Sequence, residues 1–282
     1  MGSNENILDI HREYNFPLDI LREYIYENAN IAVSDFKKIT DGVDNEVYEI
    51  GSEVYDIGRY MVKIRRDGDV PFSCVKWAVE KCREQSVKVP EIIYCGKISD
   101  SAQTLDIIIE EKIHGHPLTP DLYREAGAEL RKIHSVKVHG YWRMHEDGRF
   151  DFDINGVLQD GSGSIFDDNK DMSKIPVLCH GDYRPDHILC GEHINGIIDF
   201  GEFHGGDGYY DIVDFLRCSD EQYFDRFISG YGEINIKELL QRVVETLTDD
   251  TAEARKSGDE DEAKNLERKL HHIMKMQGDY HG

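Results

Sequence analysis

What the chain lacks narrows it first. No apolar run approaches the roughly 18 residues that a membrane-crossing helix needs, and the strongest, around Ile107 to Ile109, is strand-sized. There is no C-x-x-C pair: Cys74, Cys82, Cys95, Cys179, Cys190 and Cys218 stand apart, most in apolar surroundings where a free thiol packs as a small hydrophobe. Such scatter argues against a disulfide framework and fits a reducing cytoplasm, the expected location. Met1 to Asp9 has no basic stretch leading into an apolar one, so no secretory leader is expected. Gly42 does not open a G-x-x-x-x-G-K-[ST] loop, which excludes the P-loop class. Positive charge is also short: 33 Lys and Arg face 56 Asp and Glu, a net charge of −23. That field repels nucleic acid and anionic membranes and concentrates cations, so the expected partner is a small cationic molecule. Acidity for solubility alone accounts for the number equally well, and part of the excess lies in one run, Asp249 to Glu267.

What is present suffices for a packed core, with 39% hydrophobic residues, 15 Tyr and 11 Phe in 282 residues. Ile39 to Ile50, Tyr60 to Arg65, Val89 to Cys95 and Leu105 to Glu111 read as strands. Between them, Phe72 to Glu84 spaces Val75, Val79 and Cys82 as a helix does, after a Pro71 start signal. Pro120 to His134 is helical, with Leu122, Ala126, Leu130 and Ile133 on one face. His145 to Lys174 is polar and weakly periodic, a long loop of the kind that is functional or unstructured. Short apolar strands follow at Pro176 to Cys179 and Gly196 to Phe200, and the chain reads as helical from Tyr209, ending in a charged helix over Ala252 to Met276. The expected architecture is α+β: a β-rich N-terminal lobe over 1–112, then a mostly helical C-terminal lobe over 113–282, as a monomer. Trp77 and the pair Tyr141-Trp142 read as core aromatics.

The densest polar group is Cys179-His180-Gly181-Asp182-Tyr183-Arg184-Pro185-Asp186-His187-Ile188-Leu189, followed by Ile197-Ile198-Asp199-Phe200-Gly201-Glu202. Phosphoryl transfer asks for a positioned hydroxyl, divalent metal across the phosphates and cations that offset developing charge. Asp182, His187 and Asp199 could supply one carboxylate for a hydroxyl and two ligands for metal, aimed from strands that bury Ile188 and Ile197. A zinc or iron set built on His180, Asp182, His187 and His193 lacks the usual ligand spacing. His180 reads as a histidine that bonds the loop backbone.

These segments resemble the catalytic and metal loops of the aminoglycoside phosphotransferase family, whose fold is that of the protein kinases. Tyr60-Met61-Val62-Lys63-Ile64 is similar to its lysine strand, and Asp41-Gly42-Val43-Asp44-Asn45-Glu46-Val47-Tyr48 to its nucleotide-covering hairpin. Ile133-His134-Ser135 matches the end of its long helix, and Gly206-Asp207 with Tyr210-Asp211-Ile212 resembles its Gly-Asp-Pro-x-x-Asp-Leu segment. The resemblance implies a bilobal protein-kinase-like fold and a Mg²⁺-dependent kinase that uses ATP or GTP. Asp182 would be the catalytic carboxylate, with Arg184 offsetting γ-phosphate charge or else pairing Asp186 at the surface. Asp199 and His187 would hold metal, Lys63 would meet the phosphates with Glu80 as its partner, and Asn45, Glu111 and Ile113 would contact the nucleotide. His187 replaces the usual asparagine, which places the loop nearest the 2″-aminoglycoside and macrolide branches. The expected acceptor is an aminoglycoside-like cationic antibiotic. A macrolide, choline-like or sugar acceptor, or a nucleotide-binding module without activity, stays open.

Overall fold

The computed structural model describes residues 15–40, 45–52, 59–65, 70–159 and 175–279. Five antiparallel strands form the first sheet: β1 (Val33–Ile39), β2 (Asn45–Ser52), β3 (Tyr60–Arg65), β4 (Ile92–Ser99) and β5 (Thr104–Glu111), in the order β1-β2-β3-β5-β4. Strand alternation sorts β3 into two faces. Val62 and Ile64 are fully buried in one cluster with Ile107 and Ile109, covered by helix α1 (Leu18–Ala29) through Leu21 and Ile25. Lys63 and Arg65 therefore face the opposite side, toward the rest of the chain. Helix α2 (Phe72–Glu84) lies on that inner side, burying Phe72, Val75, Val79 and Cys82 and leaving Glu80 exposed.

The second part has a larger core, built on α3 (Tyr123–Ile133), α4 (Tyr209–Cys218), α5 (Phe224–Tyr231), α6 (Ile236–Ser257) and α7 (Glu260–Asp279). Two small sheets contribute buried residues to this core, among them Met144, Phe150, Leu178, Ile188 and Ile197. One has the order β11-β10-β6, with β6 (His116–Pro117), β10 (Ile188–Cys190) and β11 (Ile194–Ile197). The other has the order β8-β7-β12-β9, with β7 (Gly140–Met144), β8 (Phe150–Asp153), β9 (Val177–Cys179) and β12 (His204–Gly206).

The expected α+β arrangement, strand-rich first and helical afterwards, is the one adopted. Several details differ. Helix α1 was not anticipated, and the single strand expected over Ile39 to Ile50 is the end of β1 and most of β2, with residues 41–44 outside the described ones. Residues 145–153 of the expected loop belong to the β7–β8 hairpin and its turn, while 160–174 lie outside the described residues. The charged C-terminal helix is two helices, because Gly258 takes a left-handed conformation (φ 85°) that ends α6. Tyr141 and Trp77 pack as expected, but Trp142 is 50% exposed.

Candidate active site

The site is assembled by one hairpin and one buried carboxylate. Strands β10 and β11 pair Ile188 with Ile197, and the Ile198 amide continues the ladder to the His187 carbonyl at 2.9 Å. His187 precedes one strand and Asp199 follows the other, so this register sets them side by side. His187 Nε2 lies 3.8 Å from Asp199 Oδ2. The loop from β9 to β10 is anchored from α4 instead. Asp211, fully buried, accepts hydrogen bonds from the amides of His180 (2.6 Å) and Gly181 (2.8 Å) and from His134 Nε2 (2.9 Å). Gly181 is required here: its φ is +88°, and a Cβ would meet the Glu202 carbonyl at 1.9 Å.

His180 serves the backbone, as expected. Its Nε2 donates to the Ile198 carbonyl at 3.0 Å and its Nδ1 accepts the Asp182 amide at 3.2 Å, tying the two loops together. Burial lowers its pKa to about 4, so it is neutral near pH 7. His187 Nδ1 donates to the Asp182 carbonyl at 3.0 Å, which fixes the tautomer and turns the Nε2 lone pair toward Asp199. Asp199 itself is a non-glycine residue at φ 67° and ψ 63°, a conformation that costs on the order of 1–3 kcal/mol and collects at functional sites.

Charges surround the two carboxylates unequally. Burial raises the Asp182 carboxyl above its usual value, against the opposing pull of His187 (3.3 Å) and Arg184, whose Nε is 3.0 Å from Oδ1. That Arg184 nitrogen is buried and lacks the alignment of a hydrogen bond, so proximity and charge link it to Asp182. Arg184 is thus drawn to Asp182 and not to Asp186. Asp199 is held below the usual range, chiefly by Lys63 at 3.9 Å, against burial.

Lys63 does not pair with Glu80. Its ammonium meets Glu110 Oε1 at 2.9 Å, from the neighbouring strand β5, because Lys63 opposes Ile108 and Glu110 lies two residues on, on the same face. Burial would lower the Lys63 pKa, but Glu110 and Asp199 together raise it. Glu80 points to solvent and lies 3.8 Å from Lys76 one helical turn away. The inward positions of α2 are Val75 and Val79, so the helix gives Lys63 apolar walls and no carboxylate. The strand alternation of β5 carried the signal for Glu110.

Asn45, Lys63, Glu110, Asp199 and Gly201 line one crevice with Phe72, Val75, Val79 and Ile108. Asn45 Oδ1 is buried there without a hydrogen bond among the described residues, a polar atom of the kind that ligands satisfy. At the connector, the Glu111 amide donates to the Glu91 carbonyl and the Lys112 amide to the Arg59 carbonyl, each at 2.8 Å. Ile113 packs against Gly196 of β11. The donor set suits a hard divalent ion in part. Ligands on one Mg²⁺ lie about 3 Å apart when adjacent and about 4 Å when opposite, which brackets the 3.8 Å between His187 and Asp199. Only the carboxylate is a hard ligand, so the imidazole is the weaker of the two.

Against known proteins, the model of the phosphotransferase enzyme family (APH) matches residues 35–243. The architecture is similar to that of amicoumacin kinase hAmiN in complex with AMP-PNP and Ca²⁺ (14% identity, TM-score 0.63, 94% of this chain and 95% of that one). It is also similar to spectinomycin phosphotransferase APH(9)-Ia in complex with ADP and spectinomycin (17%, 0.60, 92% and 94%). A third likeness is to the GDP and kanamycin complex of APH(2")-IIia (19%, 0.51, 92% and 99%).

Proposed function

Because the chain belongs to the phosphotransferase enzyme family, we propose that it moves the γ-phosphate of ATP or GTP onto a hydroxyl of a small antibiotic-like molecule. The observation that carries this is the continuous row of polar side chains from the acceptor side to the phosphate side. Asp182 lies 3.3 Å from His187, His187 3.8 Å from Asp199, and Asp199 3.9 Å from Lys63. Asp182 takes or orients the hydroxyl proton, and its raised pKa keeps the carboxyl basic enough for that exchange. Lys63, held by Glu110, meets the phosphates, and Arg184 turns from Asp182 to the transferring group. Asp199 and His187 hold Mg²⁺, which when bound neutralises phosphate charge. Asn45 Oδ1 and the main chain from Glu111 to Ile113 serve the nucleotide.

An aminoglycoside-like cationic acceptor is supported by the net charge of −23 and by the kanamycin complex of a similar fold. The donor is supported only as a purine nucleoside triphosphate, since similar structures hold adenine or guanine nucleotides. The test is NDP release with Mg²⁺ and ATP or GTP over a panel of aminoglycosides, macrolides and choline-like metabolites. Acceptor-dependent release is expected for one class; bound nucleotide with no release over any hydroxyl acceptor would contradict the transferase reading.

A further inference from the structure

Three aromatic rings run outward from the catalytic loop. Tyr210, 52% exposed at the start of α4, is close enough to Asp182 and Asp214 for their charges to act on its hydroxyl. Its ring meets His204 edge-on at 5.1 Å, and His204 stacks on Trp142 at 5.9 Å and 26°. Trp142 owes its exposure to the backbone. A register shift between Tyr141 and Met144 turns it out of the β7–β8 hairpin, and its φ is +67°, a genuine outlier for a bulky side chain. The Asp151 carboxylate holds that irregularity by accepting the Arg143 amide at 3.2 Å. A large ring is thus held half-exposed at a conformational cost, linked through His204 to Tyr210.

Among the described residues, three carboxylates near this row have cationic partners. Asp214 pairs with Arg217 at 2.6 Å, Asp207 with Arg242 at 2.8 Å, and Asp182 with Arg184 at 3.0 Å. A polyammonium acceptor would have to displace an arginine to use any of these three as a counter-ion. The rings themselves form an open row, not the box that encloses a quaternary ammonium.

The geometry points to Trp142, His204 and Tyr210 as an acceptor subsite for a hydroxyl compound that carries a flat, apolar ring, which stacks on Trp142 while its hydroxyl reaches Asp182. This rests on the transferase reading only for the role of Asp182. The probes are 2-naphthyl glucoside and chloramphenicol, with methyl glucoside, kanamycin and choline as counterparts that lack an aromatic ring. Binding is read from Trp142 emission in a Trp77→Phe background with AMP-PNP and Mg²⁺, since the chain has only two tryptophans. Turnover is read from NDP release by the wild type, Trp142→Ala and Trp142→Phe. The expected result is a saturable emission change at least about tenfold tighter for the ring-bearing probes. For the acceptor that turns over, Trp142→Ala should raise KM about tenfold with a small change in kcat, and Trp142→Phe should restore most of it. Turnover of an acceptor without an aromatic ring, with a KM that Trp142→Ala leaves unmoved, would overturn the subsite and leave the transferase reading standing. Saturable Trp142 binding without release over any acceptor would do the reverse. Silence in both readouts would overturn both.

Discussion

Lys63 takes its counter-charge from the adjacent strand, and this separates two residues that sequence spacing could not. Glu110 and Lys63 are both largely buried, so removing one charge strands the other, whereas Glu80 with Lys76 is an exposed pair worth a few tenths of a kcal/mol. Glu110→Gln should therefore raise the nucleotide KM about tenfold or more, while Glu80→Ala should leave it within about twofold, both measured by titrating ATP or GTP at saturating acceptor. Equal effects would return the role to the helix. Asp182, His187 and Asp199 were legible because a short hairpin joins them, so their proximity follows from local spacing. Glu110 was not, because a helix register cannot be read from Lys63 and the pairing of β3 with β5 spans more than forty residues.

At the scale of elements, α4 holds the catalytic loop through one carboxylate. Burial alone would raise the Asp211 pKa, but the hydrogen bond from His134 and the attraction of that imidazole outweigh it and keep it below the usual 3.8. A carboxyl depressed on folding stabilises the protein fully above its unfolded value, and that contribution is lost as pH falls from there through the folded value. Asp211→Asn should cost about 3–5 kcal/mol at pH 7. The gap to the wild type should narrow only below about pH 4 in thermal unfolding followed by circular dichroism. A gap that closes already between pH 7 and 5 would contradict the assignment. Gly181→Ala should abolish turnover, because a Cβ there meets the Glu202 carbonyl at 1.9 Å in a left-handed conformation; near-normal activity would show that the loop adapts. The β7–β8 hairpin was invisible in the sequence for a related reason: its outward Trp142 and register shift break the alternation by which strands are recognised.

For the molecule as a whole, the order of elements was readable where strand and helix periods alternate strongly, through the first 135 residues, and again in the helical run from Tyr209. Helix α1 escaped because its apolar face is only Leu21 and Ile25 with partly buried neighbours, too narrow a stripe in a short segment. The charge of −23 says less about the acceptor than it first suggests, since among the described residues Asp214 is matched by Arg217 and Asp199 by Lys63. Raising salt from 50 to 300 mM should accordingly change acceptor KM by less than about threefold, given that paired charges contribute little steering; a tenfold rise, seen in the same NDP-release assay, would favour a polycationic acceptor. Phosphoryl transfer at Asp182 is read by following label from γ-³²P-ATP or γ-³²P-GTP into the acceptor with wild type and Asp182→Asn. The wild type should yield labelled acceptor, and the variant should lose about 10²–10⁴-fold in kcat with nucleotide KM nearly unchanged. Label transferred at the same rate by both proteins would contradict transfer at Asp182.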